Sequence, residues 1–129
     1  MSNKVKIMLV ICFTAIIVIL EIILGNCTDE FIDKTSKQLE DLKIALLEEN
    51  SEETKKKSKE LSNVWDESEN KLCYFIEHDE LEKISSKIAI ISENSTNSEY
   101  KLALEDAIET RYLLEHVKDK LKLKMKNVF

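Results

Sequence analysis

Eighteen consecutive residues, Ile7 to Leu24, read IMLVICFTAIIVILEIIL and contain one ionisable side chain, Glu21. As a helix rising 1.5 Å per residue, this run measures roughly 27 Å, close to the ~30 Å hydrocarbon core of a bilayer. Lys4 and Lys6 precede it, and Asp29, Glu30 and Asp33 follow it. Lysines before the run and none close behind predict a cytoplasmic N-terminus, residues 1–6, with the rest of the chain outside. Glu21 falls about one turn from the outer end, within reach of headgroups, and need not cross the apolar centre.

A cleaved signal peptide is the competing reading. Its apolar region is normally 7–15 residues and ends in small residues of the A-x-A kind. Here the run is longer and ends Leu24-Gly25-Asn26-Cys27. That ending has the outline of a lipoprotein box, with Asn26 where a small residue is expected. The expectation is an uncleaved signal anchor over 7–24, with lipidation of Cys27 as the alternative. Cys12 falls inside the anchor, Cys27 just beyond it and Cys73 on a predicted helix. No C-x-x-C or C-x-x-H spacing suggests zinc, and nothing forms a disulfide framework.

About 100 residues remain, one domain's worth. The 129-residue chain has no proline, one glycine and 6% aromatics, which argues against β-sandwiches and glycine-rich phosphate loops. At 43% hydrophobic it is too apolar for disorder. Lys+Arg number 19 against 25 Asp+Glu, net −6, a poor surface for nucleic acid. Helices are what remains.

From Thr28 onward apolar residues recur at helical spacing. A first helix, capped by Thr28 or Asp29, carries Phe31, Thr35, Leu39, Leu42 and Leu46 to about Glu49. Asn50-Ser51-Glu52-Glu53 opens a second helix with a capping-box pattern, and its stripe is Leu61, Val64, Trp65, Ser68, Leu72, Phe75 and Ile76. A third carries Leu81, Ile84, Ile88 and Ile91 and stops in Glu93-Asn94-Ser95-Thr96-Asn97. Thr96 with Glu99 would cap a fourth, with Tyr100, Ala103, Leu104, Ala107, Arg111 and Leu114 on one face. The prediction is an all-α chain in which the transmembrane helix precedes a four-helix antiparallel bundle, or two stacked helical hairpins, over 28–117. Gly25 and Asn26 are all that separates the anchor from the first helix.

Residues 118–129 read KDKLKLKMKNVF, with five lysines against one aspartate and a period of two. Two readings stand: a solvated basic tail, or a short extended segment whose Lys120, Lys122, Lys124 and Lys126 meet anionic headgroups.

The layout of anchor, acidic helices, a single Trp65, His78-Asp79-Glu80-Leu81-x-x-Ile84, Leu113-Leu114-Glu115-His116 and a terminal Lys126-Asn127-Val128-Phe129 resembles a small Firmicute family, domain of unknown function 4363. The resemblance covers nearly the whole chain. It implies a membrane-anchored helical protein with no assigned activity, from a group whose members tend to be encoded near multi-pass membrane proteins. It carries over no catalytic residues.

His78, Asp79 and Glu80, preceded by Glu77, form the densest set of candidate metal ligands. Helix punctuation accounts for them as well: Asp79 would cap the third helix and Glu80 would complement its dipole. Antiparallel helices would bring His116 to the same end as His78. Trp65 is expected as a core anchor and Arg111 as one half of an ion pair at a buried edge. Both stand with Lys120, Lys122, Lys124 and Lys126 as candidate interaction residues. Lys55, Lys56, Lys57 and Lys59 are expected to pair with Glu48, Glu49, Glu52 and Glu53. No G-x-S-x-G, H-E-x-x-H or Walker loop occurs, and Cys73 and His78 are five apart across a helix end. The sequence predicts no enzyme and no cofactor. Its expected partners are the membrane and another membrane protein, with self-association compatible and nucleic acid not. A metal or small-ligand sensor centred on His78, and a structural role in an envelope or spore layer, are the alternatives.

Overall fold

The computed structural model describes residues 2–128; the side chains of Met125 and Val128 fall outside the description, as does Phe129 at the end of the Lys126-Asn127-Val128-Phe129 motif. Four helices follow one another: α1 (Asn3–Leu47), α2 (Ser51–Leu72), α3 (His78–Thr96) and α4 (Tyr100–Val128).

The first helix is one unbroken rod of 45 residues, capped by Ser2, whose hydroxyl accepts from the Val5 amide. Gly25 and Asn26 do not interrupt it, and the expected start at Thr28 or Asp29 is not there. Thr28 is instead an interior residue whose hydroxyl donates to the Leu24 carbonyl at 2.9 Å. A glycine in a helix costs about 1 kcal/mol against alanine. Uninterrupted backbone bonding and the packing of everything after Thr28 outweigh that penalty. The apolar run of α1 is long and apolar enough to span a membrane, and none of it is buried within the protein.

The second half of α1 and the other three helices form an up-down-up-down bundle. The helix α1 packs against α2 and α4, and α3 packs against the same two, so the four close around one core instead of stacking as two hairpins. Leu39, Leu42 and Leu46 of α1 meet Leu61, Trp65 and Leu72 of α2, with Leu81, Ile84, Ile88 and Ile91 of α3 and Ala103, Ala107 and Leu114 of α4. On α4 the expected apolar face is rotated. Arg111 is exposed, while Thr110 and Val117 are buried in the core. A guanidinium keeps its hydration by swinging outward, and a threonine hydroxyl can be satisfied by its own helix, here by the Asp106 carbonyl at 2.7 Å.

The bundle's upper end, away from Asn3, carries two turns of the same construction. In one, Glu49 adopts φ 52°, with Glu49 N–H donating to Leu46 O and Asn50 N–H to Ala45 O. In the other, Ser98 adopts φ 60° and Glu99 N–H donates to Asn94 O. Both are Schellman-type endings made without glycine. Asn50 then caps α2 by accepting from the Glu53 amide at 3.1 Å, as its sequence pattern predicts. Thr96 caps nothing: it is the last residue of α3, and its hydroxyl bonds back to the Ser92 carbonyl. Asp79 is likewise not a cap. The residue before α3 is Glu77, whose side chain makes no capping bond, and Asp79 sits in the first turn. The lysine-rich end is not extended either. The backbone stays helical to Val128, since Leu, Lys and Met are strong helix formers whatever the period of their pattern.

Candidate functional site

Two surface regions of the bundle combine apolar side chains with charge. The first lies on the α1/α4 face in its upper half. Glu40 of α1 accepts from Arg111 of α4 at 2.8 Å, and Arg111 also lies 3.5 Å from Glu115 one turn below. The expected ion pair of Arg111 is thus present, but half-exposed. Beside it a groove of about 330 Å³ runs between the helices, bounded by Lys43, Ile108 and Tyr112 among others. Ile44 and Leu47 stand on α1 about one and two turns above Glu40, and Ile108 stands one turn above Tyr112. All four are exposed, Tyr112 by 69%. Sequence reasoning passed over them because it followed only the core stripes. The available signal was an apolar residue just off each stripe: Ile44 beside Leu42, and Ile108 beside Ala107.

The second region is the lower end, where the apolar half of α1 emerges. Lys118 of α4 donates to Asp33 of α1 at 2.7 Å, and that hydrogen bond holds its ammonium above the ordinary 10.5 despite partial desolvation. Lys120 reaches Glu80 at 3.0 Å and Glu77 at 3.5 Å, and is raised chiefly by its bond to Glu80. Lys122, Lys124 and Lys126 are exposed. Leu121 is half-buried, and Leu123 points outward.

The His78 cluster does not assemble. Lys120 occupies Glu77 and Glu80, while the His78 imidazole, almost fully exposed, lies 3.9 Å from Glu82. His116 is exposed one turn above Lys120, toward the same end as His78. Among the described residues no three His, Cys, Asp or Glu side chains converge to hold a metal ion. Trp65 is 2% exposed and belongs to the core, so it offers no surface to a partner. Its Nε1–H donates to Ser85 Oγ at 2.8 Å, and Ser85 donates to Glu69 at 3.0 Å, which ties α2 to α3. Of the four lysines that follow the Glu-rich turn, Lys57 forms its pair within α2, with Glu60 at 3.3 Å, three residues ahead and not with the preceding glutamates. The cysteines are free and exposed.

A family model, the domain of unknown function DUF4363, matches residues 22–128. The chain belongs to that family. The matched stretch takes in the whole bundle and both regions just described, while residues 1–21, most of the apolar run, lie outside it. No curated protein and no solved structure matches this DUF4363 chain. The roles of its residues therefore rest on their own geometry.

Proposed function

We propose that this DUF4363 protein is a single-pass membrane protein whose helical bundle, outside the cytoplasm, docks an integral membrane protein through the α1/α4 face. The observation that carries this is the exposed set Ile44, Leu47, Ile108 and Tyr112, beside a groove edged by both charges, Lys43 and Arg111 against Glu40 and Glu115. Apolar side chains at the centre with charges at the rim are the composition of a docking surface. The apolar half of α1 supports a partner in the same membrane, because anchoring both proteins confines their encounter to two dimensions. Lys4 and Lys6 ahead of the run support the outward orientation. The reading gives the protein a binding role and no catalysis.

Photo-crosslinking in intact membranes tests it. A photoreactive side chain at Tyr112 or Ile108 is expected to give one discrete heteromeric adduct. The same group at Glu67 on α2 is expected to give none, and Ile44→Glu is expected to abolish the adduct. Adducts of homodimer size only, or equal yields from both faces, would sink the proposal. A reporter active only outside the cytoplasm, fused after Phe129, checks the orientation separately: a silent but well-expressed fusion reverses it.

A further inference from the structure

We propose that the lower end of the bundle holds one zwitterionic glycerophospholipid of the ethanolamine type, in a groove between α1, the α2–α3 turn and the last turns of α4. The inference rests on α1 being a membrane anchor and is otherwise independent of the docking face.

The groove has a volume of about 200 Å³ and a mostly apolar lining. Its floor is Leu24, Gly25 and Thr28 of α1, and its walls are Phe75 and Leu121. Gly25, the single glycine of the chain, sits mid-helix where alanine would be about 1 kcal/mol better. Its missing side chain is what leaves the floor open. Leu24 ends the membrane-length run, so the groove begins where acyl chains give way to headgroups. An acyl chain following α1 upward arrives at an apolar cleft already shaped between side chains, and no other apolar molecule is so concentrated at that level.

Charge selects the headgroup. Two of the tail lysines, Lys118 and Lys120, are held by Asp33, Glu77 and Glu80. The next two, Lys122 and Lys124, line the groove, are exposed and have no carboxylate partner among the described residues. A phosphodiester supplies the missing anion. The groove also presents two carboxylates, Asp29 at its upper part and Glu21 below. Two cations and two anions match a zwitterion better than a net anion. An ammonium with N–H donors can bond Asp29, whereas a quaternary choline has none to give. Tyr74, next to Phe75 and 81% exposed, sits at this end with no protein surface over it. A half-apolar ring with a polar tip suits the headgroup layer.

Native mass spectrometry of the full chain, extracted from vesicles containing phosphatidylethanolamine, phosphatidylglycerol and phosphatidylcholine, reads this directly. The expected result is one phosphatidylethanolamine retained per chain, about tenfold over phosphatidylcholine for one charge-assisted hydrogen bond. Lys122→Gln with Lys124→Gln should lower retention roughly 30-fold, at about fivefold per lysine near a lipid surface. Asp29→Asn should erase the preference over phosphatidylglycerol, and Gly25→Leu should expel the lipid while leaving helix content by circular dichroism unchanged. Lys55→Gln with Lys101→Gln, at the bundle's upper end, should change nothing. Equal retention of phosphatidylcholine, a preference for phosphatidylglycerol in the unaltered chain, or full retention by the double lysine variant each overturns the site. A chain recovered without detergent in the soluble fraction would instead overturn the anchor on which it rests.

Discussion

Asp33 of α1 and Lys118 of α4, 85 positions apart in sequence, meet at 2.7 Å. Together with Glu40 and Arg111 about two turns above, they set the register of the antiparallel α1/α4 pair. Exposed pairs of this kind contribute about 0.2–1 kcal/mol, so a double-mutant cycle on Asp33→Ala and Lys118→Ala should return a coupling in that range. The pair also has a pH signature. The hydrogen bond to Asp33 makes folded Lys118 hold its proton more tightly than the unfolded chain does. Its stabilisation is therefore complete below the ordinary 10.5 and is lost as pH climbs through the raised value. Lys87, bonded to Glu109, and Lys120, bonded to Glu80, act in the same direction. Melting temperature should fall above this point, and less steeply in Lys118→Met.

Replacing Trp65 by phenylalanine keeps an aromatic ring in the core but leaves Ser85 Oγ without its indole donor. A cost of about 1–2 kcal/mol is expected, against about 3–5 kcal/mol for Trp65→Ala. Chemical denaturation followed by circular dichroism measures both. If Trp65→Phe costs nothing, the chain of bonds from Trp65 through Ser85 to Glu69 is not stabilising.

Glu49 and Ser98 hold left-handed backbone that glycine adopts without penalty. Glu49→Gly and Ser98→Gly should each raise stability by about 0.5–1 kcal/mol, the relief being partly offset by a looser unfolded chain. Thermal unfolding decides, and a destabilised Glu49→Gly would mean that its side chain matters more than its backbone.

Asn50→Ala should cost about 1 kcal/mol, because the Glu53 amide loses its acceptor. Asp79→Ala should stay within about 0.5 kcal/mol, since Asp79 caps nothing and only complements the dipole of α3. Similar losses at the two sites would show that Asp79 does more than complement that dipole.

Buried hydroxyls give a paired comparison. Thr110 bonds the Asp106 carbonyl, whereas Thr54, equally buried, has no partner for its hydroxyl among the described residues. Thr54→Val should be neutral or stabilising and Thr110→Val destabilising by about 1 kcal/mol, read from denaturation midpoints at constant slope. The reverse order would mean that the environment of Thr54 is polar.

The isoleucines of α3 show what was legible. Ile84, Ile88 and Ile91 fall on one face by spacing alone, and all are buried. Thr54, Ser58 and Thr110 lie just as deep and escaped notice, because a small hydroxyl looks polar in sequence yet is small enough to pack among apolar side chains. That holds whether it bonds its own helix, as Thr110 does, or has no partner among the described residues, as with Thr54 and Ser58. Helix ends were legible at Asn50 and misread at Thr28, Asp79 and Thr96. A residue able to cap does so only where the chain changes direction, and that is decided by which neighbours pack. The paired surfaces were illegible for the same reason: Lys43 and Ile108, or Gly25 and Leu121, become neighbours only once two distant helices are side by side.

The absence of any joint within α1 has a mechanical consequence. About 67 Å of continuous helix runs from Asn3 to Leu47, so whatever tilts or turns the apolar half carries the bundle with it as one shaft. Rotation of that half against its surroundings swings the Tyr112 face around the axis of α1 like the vane on a spindle. One residue inserted between Asn26 and Thr28 would turn the upper part by about 100° and raise it by about 1.5 Å. The direction in which this protein faces is thereby written into the number of residues below its bundle.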